Sequence, residues 1–267
     1  MIHPSALVDA AAQCHDRVTI GRGAIVQGAC RIGADVEIGP GAVLDAGDGT
    51  LVVESGAQVG AGAILGAPIT ISQGAHVLPG TVVSRDVPPH AVVAGNPAQI
   101  IGYTTLAAQN RDLQPEVAPR QPGAREISAK GVTFHRMPKV LDLRGNLTVG
   151  EFERSIPFQP RRYFMVFGVP NSEIRGEHAH RTCHQFLICA HGSCAVMVDD
   201  GEVREEVVLD DPSLGLHLPP LTWGVQYKYS QDAVLLVFAS EYYDPNEYIR
   251  DYPEFLELSR HRRRQEV

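Results

Sequence analysis

The chain has 267 residues, 44% hydrophobic and 20% charged, which suits a soluble globular protein of one large or two ordinary domains. Its formal net charge of −8 argues against nucleic-acid binding or attachment to an anionic membrane surface. No leader-like pattern is visible at Met1-Ile-His-Pro-Ser-Ala6, no apolar run nears the ~18 residues of a membrane span, and five cysteines without CxxC spacing read as free thiols; a cytoplasmic protein is expected.

The first hundred residues repeat with a period of six. Ile20-Gly21, Ile32-Gly33, Ile38-Gly39 and Val59-Gly60 recur in an [Ile/Val]-Gly-x-x-[Ala/Val]-x pattern. One inward aliphatic residue per hexad, with a small residue at each corner, makes one flat face of a three-sided coil, and short-period self-similarity of this kind predicts a solenoid over residues 1–102. Glycine is needed at such corners for positive φ or for close backbone approach. His15 and His76 lie within the repeats and read as surface residues.

Residues 103–131 lose the period. The run Gln109-Asn-Arg-Asp-Leu-Gln-Pro-Glu-Val-Ala-Pro-Arg-Gln-Pro-Gly123 is polar and proline-rich, which places a linker and the domain boundary there.

Residues 132–267 read as short strands. Arg161–Phe167, Gln185–Cys189, Cys194–Val198, Val203–Leu209 and Ala233–Phe238 have strand-like composition, with a hairpin signal at Asp199-Asp-Gly201. Many short strands at close spacing predict a sandwich or barrel, so the whole chain is expected to be all-β. Only Tyr252-Pro-Glu-Phe-Leu-Glu-Leu258 reads as helix, with Pro253 in its first turn, and Arg260–Arg264 reads as a solvated tail.

Within this half, Arg175-Gly-Glu-His-Ala-His-Arg-Thr-Cys-His-Gln185 concentrates the chemistry. On a strand, His178 and His180 project to the same face, and two imidazoles with ordinary pKa near ~6.5 suit either metal binding or proton transfer. Cys183 has no dedicated basic partner in the pattern and reads as packing.

Two resemblances extend this reading. The first half, with its ending Val82-Val-Ser-Arg-Asp-Val-Pro-Pro-His-Ala-Val-Val-Ala-Gly-Asn-Pro-Ala-Gln-Ile-Ile-Gly102, resembles the left-handed β-helix acyltransferases of hexapeptide-repeat type. The resemblance implies a trimeric coil with acetyl-CoA as co-substrate in the groove between subunits, lined here by Ser84, Arg85, Gly95, Asn96 and Pro97. The second half resembles the cupin-type (jelly-roll) sugar-nucleotide 3,4-ketoisomerases in Asp142-Leu-Arg-Gly145, Arg175–Arg181, Cys183-His-Gln185, Leu218–Trp223 and Ser240-Glu-Tyr-Tyr-Asp-Pro-Asn-Glu-Tyr-Ile-Arg250. This implies conversion of dTDP-4-keto-6-deoxyglucose to its 3-keto isomer. The fused pair implies a bifunctional ketoisomerase and N-acetyltransferase acting on dTDP-linked keto- and amino-deoxysugars, as a homotrimer or hexamer.

The resemblance also weighs the two chemistries. Metal-binding cupins carry His-x-His, a nearby Glu and a distant third His; here Gln185 stands in the Glu place and Thr222–Tyr227 holds no histidine. His184 and His217 remain as further imidazoles in the same half. The expectation is metal-free acid–base catalysis by His178 and His180, with Arg144 and Arg175 for the diphosphate and Gln185 and Trp223 as further substrate contacts. For the solenoid two readings stay open. It transfers acetyl groups without an evident histidine base, or it is a non-catalytic trimerising scaffold. A sugar-nucleotide-binding oligomer without catalysis is the non-enzyme alternative for the whole chain.

Overall fold

The computed structural model describes residues 1–104, 118–143, 145–170 and 173–265. They fold as two compact units that divide after Thr104, and among them no helix is long and apolar enough to cross a membrane.

The first unit is a parallel β-solenoid with three sheets of five, four and six strands. Its strands are two to five residues long because each hexad supplies one inward and one outward position before the next corner. Along one sheet Ile20, Ile38, Val59, Val77 and Val93 stand in register and are at most 3% exposed, while Thr19, Glu37 and Gln58 point out. Stacked aliphatic ladders of this kind fill the coil and supply its stability through apolar burial.

Successive coils advance by 18 residues, as in Leu7 opposite Ile25 and Ile25 opposite Val43, but Val43 meets Ile64, a step of 21. The extra residues lie in the corner between the strands Val43–Asp45 and Leu51–Val53. The solenoid ends where Gln99–Tyr103 turns back antiparallel on Ala91–Ala94, which covers an otherwise open strand edge.

Glycine serves both corner purposes. Gly23, Gly41 and Gly62 have φ near +67° (68°, 67° and 66°), whereas Gly60 lies where a Cβ would come 2.4 Å from the Pro79 nitrogen of the next coil. Gly60→Ala therefore has no flexible side chain to displace. We expect it to destabilise the solenoid by roughly 1–3 kcal/mol, visible as a lowered thermal midpoint, while Gly66→Ala, with nothing within 4 Å of its Cβ, stays near wild type.

The second unit is a two-sheet β-sandwich of the cupin type. One sheet orders its strands Gly123–Glu126, Thr133–Arg136, Leu214–Leu218, Gln185–His191, Val234–Ala239 and Arg162–Phe167. The other runs Arg204–Leu209, Cys194–Asp199, Trp223–Tyr227, Arg175–His180 and Tyr248–Ile249. Leu187, Val196, Val198, Leu216, Leu235 and Val237 belong to one apolar cluster of this core, and Met137, Ile156, Phe186 and Ile188 form another. The strand Gly123–Glu126 lies inside the stretch that composition alone assigns to the linker; it pairs antiparallel with Thr133–Arg136.

The C-terminal helix covers Tyr252–Gln265 and so extends seven residues beyond the segment read as helical. The arginines expected in a solvated tail form its last turns, where cations suit the negative end of the helix dipole. Arg262 donates to the Pro220 carbonyl and Arg263 to the Asp200 carbonyl, so they fasten the helix to the sheet. Beneath it, Asp199 accepts from both Arg204 and Tyr252.

Candidate active site

The histidine strand Arg175–His180 lies between Trp223–Tyr227 and Tyr248–Ile249. A bulge precedes His178, with Glu177 at φ 53°, and beyond it the strand alternates regularly, so His178 and His180 share one face. Gly224 stands opposite His178 and Tyr248 opposite His180. The tyrosine backs both rings, at ring-centre distances of 4.8 Å to His178 and 4.4 Å to His180.

The two imidazoles touch. His178 Nε2 lies 3.2 Å from His180 Nε2, and His178 Nδ1 lies 2.8 Å from the Gly176 carbonyl oxygen. A carbonyl only accepts, so His178 carries its proton on Nδ1 and turns the Nε2 lone pair toward His180. One proton can therefore bridge the rings. The Gln185 carboxamide comes from the opposite sheet and sits 3.0 Å from the same His180 nitrogen. Among the described residues His180 Nδ1 is buried without a hydrogen-bonding partner, an unusual state for a buried polar atom.

Electrostatics hold this pair neutral. Burial is the largest cause lowering the His180 pKa to about 3, followed by His178 and the cations Arg162 and Arg250; burial also lowers His178, with Arg250 adding to it. A positive, desolvated surround disfavours the imidazolium and favours an anionic ligand.

The other expected residues separate. Gln185 joins the pair. Arg175 stands exposed at the start of the histidine strand. Arg144 lies outside the described residues. Trp223 is 4% exposed and packs edge-on against Tyr252 and near Phe255 of the terminal helix, so the structure does not bring it to the histidines. The reason is strand alternation: Gly224 faces His178, so the residue before it faces away. His184 and His217 pair with one another at 2.9 Å, and Thr133 lies between His217 and His135. They are a separate cluster, with Phe158 against both His184 and His217. Cys183 is buried and its sulfur lies 3.4 Å from the His184 carbonyl, a packing position.

Sequence reading missed Arg162, Tyr248 and Arg250. Arg162 precedes Phe164 and Val166 at alternate positions, and both of these pack on the sandwich core; a period-two count along Arg162–Phe167 would have turned Arg162 inward. Tyr248 had no signal of its own, because its role depends on a strand pairing 68 residues away from His180.

In the solenoid, Val82 joins the two segments expected at the co-substrate groove. Its N–H donates to the Gly95 carbonyl, and its carbonyl accepts from Ala98. Ser84, Arg85, Gly95, Asn96 and Pro97 are all exposed at this end of the coil.

Residues 130–260 match the FdtA family, described as WxcM-like, C-terminal, and residues 11–46 match the bacterial transferase hexapeptide family of six repeats. A TDP-4-oxo-6-deoxy-alpha-D-glucose-3,4-oxoisomerase of Aneurinibacillus thermoaerophilus is 42% identical over 117 residues, 44% of this chain and 84% of that protein. The chain thus belongs, through its second unit, to the sugar-nucleotide 3,4-oxoisomerase family. A crystal structure of QdtA, a sugar 3,4-ketoisomerase from Thermoanaerobacterium thermosaccharolyticum in complex with TDP, is 34% identical, with a TM-score of 0.49, over 50% of this chain and 97% of that one. For the first unit, a dTDP-3-amino-3,6-dideoxy-alpha-D-galactopyranose 3-N-acetyltransferase of A. thermoaerophilus is 36% identical over 84 residues; these are 32% of this chain and 44% of that relative, so less than half of the acetyltransferase is matched.

Proposed function

We propose that the second unit moves the carbonyl of dTDP-4-keto-6-deoxyglucose from C4 to C3 by imidazole acid–base catalysis. The carrying observation is the His178–His180 pair, His180 buried and His178 half-buried, with Nε2 atoms 3.2 Å apart. Isomerisation requires a base for the C3 proton, which is acidified by the adjacent carbonyl, and a proton donor for C4. Two imidazoles that can share a proton supply both roles without net change. No metal enters this reading. The Nε2 atoms face each other and the third neighbour is the Gln185 carboxamide, a poor donor set for a divalent cation. The exposed cations Arg175 and Arg250 suit the diphosphate-bearing ligand.

The test is incubation of chelator-treated protein with the 4-keto sugar nucleotide in deuterated water. A 3-keto product carrying solvent deuterium at C4 is expected. Absence of both product and label would remove the isomerase reading.

For the first unit the proposal is acetyl transfer from acetyl-CoA to a dTDP-3-amino-3,6-dideoxyhexose, with an aminotransferase acting between the two reactions, because isomerisation yields a ketone and acetylation consumes an amine. The relationship to the hexapeptide transferases supports this reading. An outward aliphatic row, Leu7, Ile25, Val43, Ile64 and Val82, stands in register on one face of the coil, with Leu7 66% and Ile64 48% exposed. Such a patch suits burial against a second copy, in keeping with a trimer and a groove for CoA between subunits. We expect wild-type protein to give heat of acetyl-CoA binding by calorimetry. Ile64→Glu should elute as a smaller species by light scattering and lose that heat; wild type without heat would leave the solenoid a scaffold.

A further inference from the structure

Among the described residues Arg162 forms no ion pair, and its side chain is turned toward the site. Arg162, Ala239 and Gln185 stand side by side across one sheet, since Ala239 pairs with both Arg162 and Gln185. Paired residues project to the same face, so the guanidinium and the carboxamide that touches His180 share the inner surface. Ala239, fully buried and with only a methyl group, separates them. The guanidinium is walled by the rings of Phe164 and Tyr243, at 5.7 and 5.4 Å. Its Nη2 donates to the Tyr248 hydroxyl at 3.4 Å, and Tyr248 is the ring that backs both histidines.

The remaining donors are open. Arg162 Nε is buried without a partner, and among the described residues no carboxylate forms an ion pair with this side chain. Arginine buried beside apolar rings is ordinarily neutralised, because an unpaired charge is costly to desolvate. Arg175 and Arg250, by contrast, are exposed at the rim. A diphosphate, which keeps solvated oxygens, suits the rim cations. Arg162 is half-buried with its Nε fully covered, and it suits charge that develops against the inner sheet face.

We propose that Arg162 is a catalytic residue that binds the sugar O4 and stabilises the enolate formed there when the C3 proton leaves. This rests on the isomerase reading above. In the step, the C3–H bond breaks and its proton goes to an imidazole nitrogen. The electron pair forms the C3=C4 double bond, and the C4=O π pair moves to O4, which takes the negative charge against the guanidinium. The imidazolium then returns its proton to C4 while the O3–H bond breaks to form the C3 carbonyl, and the O3 proton passes to O4, which ends as the C4 hydroxyl. The fixed cation lies in a low-dielectric setting and need not reorient as the charge develops, which is the condition under which such groups contribute most.

The experiment compares Arg162→Gln and Arg162→Lys with wild type, the fold of each checked by circular dichroism. For Arg162→Gln we expect kcat to fall about 10²–10³-fold while dTDP affinity changes less than threefold. Loss of the cation should also raise the His180 titration seen by NMR in the variant, a shift that general loosening of the fold would not confine to this ring. Arg162→Lys, which keeps charge without the planar fork, should recover part of kcat and hold the His180 titration near wild type. A loss of dTDP affinity parallel to kcat/KM at unchanged kcat would assign Arg162 to the diphosphate and overturn the proposal, as would unchanged kinetics. Inactive wild type would instead remove the isomerase reading itself.

Discussion

Replacing His180 by Asn should lower isomerase kcat by about 10²–10⁴-fold, with dTDP binding retained. Asn keeps polarity in the buried position but has no group that can gain and release a proton near neutral pH. The fold should tolerate the change, because Gln185 and Tyr248 still line the position. His178→Asn should cost a similar factor, but the two variants should differ in isotope exchange. The variant lacking the C3 base returns no solvent deuteron to C3 of unreacted substrate. The variant lacking only the C4 donor still exchanges C3 and fails to form product. If both retain full activity, proton transfer by this pair is wrong. The pH profiles carry a further sign. In the free protein Arg162 and Arg250 contribute to the His180 pKa of about 3, and a bound diphosphate offsets that positive field and raises it. The acid limb of kcat, which reports the complex, should therefore lie at higher pH than that of kcat/KM, which reports the free enzyme.

Acid should destabilise the second unit well before its carboxylates are protonated. His180 and His217 are both lowered to about 3, first by burial and then by neighbouring cationic or imidazole groups. The sign follows from proton linkage. Between about 6.5 and about 3 the unfolded chain binds protons that the folded unit refuses, so stability is full above the unfolded value and is lost as pH falls below it. At pH 5 each histidine accounts for about 2 kcal/mol of lost stability relative to pH 8, and the two together lower the melting temperature by roughly 10 °C in a unit of this size. His135, His178 and His184, all lowered mainly by burial, act in the same direction. Calorimetric scans at pH 8 and pH 5 check this, and His217→Gln should reduce the pH dependence. A midpoint that does not move between these pH values would show that the imidazoles gain protons without unfolding.

Much of the architecture is legible in the chain because it is written at short range. A hexad needs only its own aliphatic and glycine positions to define one face of a coil, and stacking repeats the same contact. The histidine pair is legible for the same reason: residues two apart on a strand share a face whatever lies around them. The strand boundaries Arg162–Phe167, Cys194–Asp199 and Arg204–Leu209 fall within a residue of their expected positions. Less legible were the edge strand Gly123–Glu126, whose polar composition reads as linker, and the arginines of the terminal helix, whose partners Pro220 and Asp200 are distant in sequence.

By itself, then, the sequence determined that a solenoid precedes a sandwich, and that His178 and His180 share one face of a strand. The tertiary structure decided what surrounds them. It set Tyr248 behind both rings, brought Gln185 from the facing sheet, and turned Trp223 away to the helix. It also turned Arg162, beside Ala239 and Gln185, to the inner face of its sheet. These depend on strand order and register between segments tens of residues apart, which local periodicity does not encode. Proton affinity follows the same division: a lone imidazole titrates near ~6.5, and only burial beside cations moves His180 to about 3.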